Sequence, residues 1–295
     1  MSAATATVHE VPRAEVERWL PELDAWLLDG AFFGVQHTWP QLYRRDGSGS
    51  FFVVTDGERL LSHCAARVVD LRGPDGVRPV ALLGSVATAP EARGRGLAGH
   101  VLDAALEVLE PRCEAVLLWA ERPTLYARHG FTATGEDRCL HLARGPRREL
   151  PTGVAVRPVE IEDHAALHAL HGQKPCGVVR APQTMSALLT TPGMTTLVLT
   201  RDQHPAAYAC CGKGADLQGH WHELGGSDED LALLLPAAMH FADQIEAALL
   251  LPPYRPALAE RLAPQVLAEC TVPGPMARVL RGPRPDCWID GLDSV

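Results

Sequence analysis

The chain has 295 residues, with 27 Lys and Arg against 36 Asp and Glu, a formal net charge of −9, and 46% apolar residues. This acidity argues against a nucleic-acid binder, because phosphate contacts need a basic surface. The absence of any run of eighteen apolar residues argues against a membrane-spanning helix. The length fits two domains of about 150 residues each. Eight cysteines without a Cys-x-x-Cys pair predict reduced thiols in a cytoplasmic protein, and the first twenty residues lack the basic start and apolar core of a signal peptide.

Taken in order, Thr5 to Val11 reads as a strand. Arg13 to Leu28 carries Val16, Leu20, Leu23 and Leu27 at helical spacing, and Gly30 and Gly34 break that helix. Phe32, Phe33, Trp39 and Tyr43 follow, either as core under a loop or as the wall of an apolar pocket. Phe51 to Val54 and Leu60 to Leu71 read as strands around the Asp56-Gly57 turn. A Gly-Pro-Asp-Gly turn at 73–76 leads to a buried strand over Ala81 to Ala87. Leu97, Val101, Leu102, Ala105 and Leu106 then mark a helix.

Between that strand and helix lies Arg93-Gly94-Arg95-Gly96-Leu97-Ala98. Two glycines let the backbone turn with positive φ and approach a ligand. The free N–H groups of the helix and two arginines then face an anion. The segment is not a P-loop, since no Lys-Ser/Thr pair closes it; Gly94, Gly96 and Gly99 do fall on the Gly-x-Gly-x-x-Gly spacing of a Rossmann turn, which is a weak signal when it stands alone. Downstream, Ala115 to Ala120 predicts another buried strand, leading into Leu125-Tyr126-Ala127-Arg128-His129-Gly130-Phe131. Two more strands run to Leu142.

Arg144 to Gly153, rich in charge with Pro146 and Pro151, is the expected boundary, giving domains at 1–147 and 153–295. The second repeats the element order of the first. Strands are expected at Val154–Pro158, Thr195–Thr200, Pro205–Gly212, His220–Leu224 and Ala247–Leu251. Helices are expected at Ile161–His171, Pro182–Leu189 and Leu231–Ile245, with Tyr254–Leu262 and Val266–Leu280 completing the series. Cys210 and Cys211, adjacent in a strand, should point to opposite faces. His164, His168 and His171 form a helical stripe, read as a solvated face, and His220 and His222 share a strand face. No metal site is expected.

The glycine-rich turn resembles the coenzyme A loop of the GNAT superfamily of N-acetyltransferases, with Arg93, Gly96 and Ala98 on its Arg/Gln-x-x-Gly-x-Gly/Ala pattern. Tyr126 to Phe131 resembles the Tyr-x-x-x-Gly-Phe segment of the same superfamily, in the usual order and distance. The fold implied is α/β (α+β), as two tandem GNAT-like domains, each a mixed, mostly antiparallel sheet flanked by helices. The second half departs from the pattern. It has Gly225-Gly226-Ser227-Asp228-Glu229-Asp230 in place of the basic loop, acids that can cap a helix but would repel a pyrophosphate. That half is read as structural or acceptor-shaping. One competent and one degenerate half resembles the mycobacterial Eis family of aminoglycoside acetyltransferases without its third domain. Mycothiol synthases are also tandem but place catalysis in the C-terminal half.

The resemblance implies acetyl-CoA as cosubstrate and direct attack by an amine, small or peptidic, on its thioester. Main-chain groups at Val86, Ala87 and Thr88 would hold the pantetheine arm and polarise the carbonyl. Those of Gly94, Arg95, Gly96, Leu97, Ala98 and Gly99, beside Arg93, would receive the pyrophosphate. Tyr126, a phenol protonated at neutral pH, is the candidate acid for the departing thiolate. An alkyl amine lies roughly three pH units from deprotonation at pH 7, a handicap of about 4–5 kcal/mol, so a base is needed. The strand Ala81 to Thr88 has no acid where many members place a glutamate. Glu121, His63 and the carboxylate of Val295 remain as candidates, the last because Eis-type enzymes use theirs. The alternatives to an N-acetyltransferase are a non-catalytic acyl-CoA sensor and a transferase of longer acyl groups.

Overall fold

The computed structural model describes residues 7–28, 31–214, 216–286 and 288–295. Its elements, in chain order, are β1 (His9–Val11), α1 (Arg13–Val16), α2 (Leu20–Leu27), α3 (Val35–Thr38), α4 (Pro40–Tyr43), β2 (Ser50–Asp56), β3 (Arg59–Gly73), β4 (Gly76–Thr88), α5 (Leu97–Leu109), β5 (Ala115–Leu118), α6 (Pro123–Ala127), β6 (Thr132–Ala133), β7 (Glu136–Ala143), β8 (Val154–Pro158), α7 (His164–Gly172), β9 (Gly177–Val178), α8 (Pro182–Leu189), β10 (Thr195–Arg201), β11 (His204–Cys211), β12 (His220–Gly226), α9 (Asp228–Phe241), β13 (Glu246–Leu251), α10 (Pro256–Leu262), β14 (Val266–Pro273) and β15 (Met276–Val279). Thr5, Ala6 and Gly30, which entered the expectations above, lie outside the described residues.

The chain forms two compact units. One comprises Met1–Gly135, Gly274–Asp286 and Ser294–Val295, the other Glu136–Pro273 and Cys287–Asp293. The strands of the first run in the order β1-β2-β3-β4-β5-β15-β6, antiparallel throughout except β4 with β5. Alternation on β2 explains why both faces are covered. Phe52 and Val54 pack with Leu97, Val101, Leu102 and Leu106 of α5, while Phe51 and Val53 pack with Val16, Trp19, Leu23 and Tyr43. Each large side chain so buried contributes about 1.5–3 kcal/mol. The helix expected over Arg13–Leu28 is divided: a 3-10 turn, Glu17–Trp19, separates α1 from α2. Pro21 stands in the first turn of α2, where its missing N–H does no harm, but it cannot continue a helix from α1.

The strands of the second unit run β14-β7-β13-β12-β11-β10-β8, with β12 and β13 the parallel pair. Cys211 packs with Leu231, Leu234 and Leu235 of α9, whereas Cys210 packs with Leu167, Met185 and Leu188 of α7 and α8, so the two thiols do face opposite ways. The boundary expected at 144–153, with domains 1–147 and 153–295, is not where the chain divides. β7, expected to close the first domain, pairs with β13 and β14, and β15 is the strand beside β5. The apolar side chains decide this. Leu140 and Leu142 of β7 belong to the second core, and Met276 of β15 to the first. Charge and proline mark a loop, but not which sheet its flanking strand joins.

Candidate functional site

In the first unit, β4 and β5 pair only from Val80↔Ala115 to Leu82↔Leu117. Past Leu82 the edge of β4 that faces β5 is released, and a cavity of about 820 Å³ opens there, within the ordinary size range of small-molecule sites. A bulge shapes this stretch. The β3–β4 register shifts between His63 and Ala65, and Ser85 takes a left-handed φ of 53°, a conformation that costs a non-glycine residue about 1–2 kcal/mol. Gly84, Ser85, Val86, Ala87 and Thr88 all line the cavity. One edge of their backbone is held by β3, and the other can meet a ligand.

The loop that follows closes one end. Gly94 and Gly96 have φ of 77° and 78°, which only glycine adopts without strain. Gly96 is the N-cap of α5 and supplies no side-chain cap, so the N–H groups of the first turn remain for an incoming acceptor. Arg93 donates from Nε to the Thr88 carbonyl at 3.3 Å, tying loop to strand. Arg93, Gly94, Gly96, Leu97 and Ala98 line the cavity, whereas Arg95 and Gly99 are not among its lining residues. Gly99, in the first turn of α5, is buried, and a Cβ there would meet the His129 ring at 3.5 Å, an ordinary van der Waals contact, so packing does not demand a glycine.

Tyr126, on α6, lines the same cavity with its ring edge-on to Phe131 at 6.2 Å. Burial, with smaller contributions from Cys64 and Glu121, pushes its phenol up to about 12, so it holds its proton at neutral pH. Glu121 is exposed and also lines the cavity. Val295 does too, and it stands against β4: a Cβ at position 84 would overlap the carbonyl carbon and oxygen of Val295. Gln41 donates from Nε2 to the Ser294 carbonyl at 3.2 Å, fixing the residue before it. Gly84 is therefore a site residue that the sequence did not disclose, since its partner lies more than two hundred positions away.

His63 is different. It is fully buried beside Tyr43 and Phe51, its ring about 6 Å from each, and is not among the lining residues. Burial pushes its imidazole down to about 4. Neutral at pH 7, it donates from Nδ1 to the Ser85 carbonyl at 2.9 Å, bracing the bulge. Of the four aromatics singled out in sequence, only Trp39 lines the cavity, joined by Trp26 and Leu27. Phe32 is 93% exposed, and Tyr43 is core. Trp26 went unnoticed because it lies off the apolar stripe of its helix.

The second unit has the same strand-helix junction with opposite chemistry. Ser227 caps α9, its Oγ accepting from the Asp230 N–H at 3.1 Å, so a serine rather than an acid is the cap. Asp228 instead pairs with Arg255 at 2.5 Å, and Asp230 with Arg201 at 2.7 Å. On β12, Glu223 is wholly buried. It receives both Nη groups of Arg180 at 2.6 and 2.7 Å and the Tyr208 hydroxyl at 2.7 Å. Burial alone would raise its carboxyl, but Arg180 and Lys174 overcome this and hold it well below the usual range. Arg180 also donates to Asp293 at 2.7 Å, and Lys174 to Asp290 at 2.8 Å. His171, Glu223 and Asp290 are close enough to share a metal, but Lys174 and Arg180 already supply the positive charge.

The histidine stripe on α7 is not a solvated face. His164 bonds Ser186, His168 the Arg180 carbonyl and His171 the Val178 carbonyl, at 2.7, 2.7 and 2.8 Å. His222 is buried as well, which pushes it down to about 3.

Residues 25–134 match the model of the acetyltransferase (GNAT) domain family. No curated protein matches the sequence. Among solved structures, a probable N-acyltransferase from Enterococcus faecalis is 14% identical, with 93% of this chain and 72% of that one covered at a TM-score of 0.72. A GCN5-related N-acetyltransferase from Anabaena variabilis is also 14% identical, over 93% and 73%, at 0.69. Eis1 from Mycobacterium abscessus is 15% identical, over 93% and 73%, at 0.60. At these identities the likeness is one of fold, and it covers both mixed, mostly antiparallel sheets. No helix among the described residues is long and apolar enough to cross a membrane.

Proposed function

We propose, from the premise that residues 25–134 hold a GNAT acetyltransferase domain, that this chain moves an acetyl group from acetyl-CoA to an amine. One observation carries the reading: the uncapped N-terminus of α5, the released edge of β4 and Tyr126 all face one cavity. An anionic pyrophosphate suits the first, an amide-bearing pantetheine the second, and a departing thiolate the third.

In this reading the N–H groups of the first turn of α5, with Arg93 beside them, hold the pyrophosphate. Main-chain groups of Val86, Ala87 and Thr88 orient the thioester and polarise its carbonyl. The amine attacks that carbon directly, and the C–S bond breaks as the tetrahedral intermediate collapses. Tyr126, protonated at neutral pH, gives its proton to the leaving thiolate. For the base, the carboxylate of Val295, the last residue of the sequence, is preferred to Glu121. Its fixed seat against Gly84 in the cavity wall is what a positioned base requires. Apolar walls from Trp26, Leu27 and Trp39 suit an amine carried on an apolar body. The working compartment is the cytoplasm.

Calorimetry with acetyl-CoA, followed by thiol release across an amine panel corrected for hydrolysis, tests the reading. Binding and amine-dependent turnover are expected. Binding without turnover would leave an acyl-CoA sensor, preferential turnover of longer thioesters a different acyl donor, and no binding of any thioester would end the proposal. Extending the chain past Val295 by one alanine separates the bases: it should abolish turnover if that carboxylate acts and spare it if Glu121 does.

A further inference from the structure

We propose that Cys139, His141 and Cys270 form a zinc site on the sheet of the second unit. β7 and β14 run antiparallel with Cys139 directly opposite Cys270, so both thiols leave the same face of the pair. His141 lies two residues on from Cys139 and shares that face. The three donor atoms all lie within 4.8 Å of one another, and Cys270 Sγ stands 3.4 Å from His141 Nε2.

A tetrahedral zinc ion, with bonds of about 2.3 Å to sulfur and 2.0–2.1 Å to nitrogen, holds such atoms about 3.5–3.8 Å apart. The donors therefore need only small rotations to converge. Both thiols are free, and two thiolates with an imidazole select zinc over magnesium or calcium. The adjacent charges do not compete, since Arg138 and Glu269 are paired with each other at 2.7 Å. Cys139 is buried while His141 and Cys270 are exposed, which gives an ion a way in and leaves the fourth position to water. β14 is an edge strand, and a bound ion would fasten it to β7. Sequence spacing could not disclose the set, because 131 residues separate its cysteines.

The test titrates the full chain, freed of metal and kept in reductant, with cobalt(II) and then zinc. One equivalent of cobalt should produce thiolate charge-transfer absorption and the intense visible bands of a tetrahedral ion, and zinc should displace it. Cys270→Ser and His141→Ala, both at exposed positions, retain the fold, and each should weaken zinc binding by more than the ~100-fold that follows loss of a mere supporting partner. Zinc should raise the urea midpoint of the wild-type chain and leave that of Cys270→Ser unmoved. Absence of stoichiometric binding would overturn the site, as would weak octahedral bands or a spectrum that Cys270→Ser leaves unchanged.

Discussion

Two helices in this chain start from corresponding places and carry opposite charges there. α5 leaves β4 and returns to the parallel β5, and α9 leaves β12 and returns to the parallel β13. The first begins at a left-handed glycine without a side-chain cap, preceded by Arg93 and Arg95. The second begins at a serine that closes its own first turn, followed by three acids. The strands before them differ in the same sense. β4 offers a bulged, released edge to a cavity, while β12 carries a glutamate sealed among Arg180, Lys174 and Tyr208. A shared strand-turn-helix unit thus keeps its first-turn N–H groups open in one case and is a closed structural joint in the other. A handful of side chains decides which.

The sharpest way to break that contrast is at Tyr126. If chemistry belongs to the first unit alone, Tyr126→Phe should lower kcat by about 10²–10⁴-fold, the usual worth of a positioned acid, with acetyl-CoA affinity near normal by calorimetry. Undiminished turnover would remove the phenol from the reaction. In the second unit the matching test is Arg180→Ala. It strands Glu223 and Asp293 without their guanidinium partner in a fully buried setting, and loss of one member of such a network costs about 3–5 kcal/mol. Urea denaturation reads the change, and a loss below about 1 kcal/mol, the worth of an exposed ion pair, would mean the network is not what holds this unit.

The open half of the contrast was legible in sequence, and the closed half only by its lack of a motif. Arg93, Gly96 and Ala98 lie within six residues of one turn, so their spacing carries their geometry. Tyr126 is legible for the same reason, standing near the end of α6 only four positions before Gly130. Glu223, Arg180, Asp290 and Asp293 meet only through pairings between distant segments, and a net charge says nothing of which charges are buried. The same limit hid the seat of Val295 against Gly84 and the place of β15 beside β5. Both depend on long-range register, which local periodicity does not encode.

Acid should weaken both units through their buried histidines. His63 is pushed down to about 4 from 6.5 and His222 to about 3. The unfolded chain takes up these protons below pH 6.5, while the native chain resists until its own lower pKa. Stability from His63 is therefore complete above pH 6.5 and lost as pH falls toward 4, a change on the order of 3 kcal/mol. Urea midpoints at neutral pH and near pH 4.5 measure it, and His63→Phe should flatten the slope. An unchanged slope would assign the acid sensitivity to the second unit.

The smallest change aims at the start of α5 itself. Nothing lies within 4 Å of the position a Cβ at Gly96 would take, so the Cβ of Gly96→Val meets no protein atom, and the folded chain bears chiefly the left-handed backbone penalty, at least about 1–2 kcal/mol for a β-branched residue. A ligand drawn to the first turn of α5 would meet the new methyls head on. Acetyl-CoA affinity should therefore fall at least about tenfold, or roughly 1.4 kcal/mol, while the urea midpoint shifts only by the backbone penalty. Because the two readouts have separate causes, a loss of stability with intact binding would show that the anion lies elsewhere, and the contrast between α5 and α9 would then be one of caps alone.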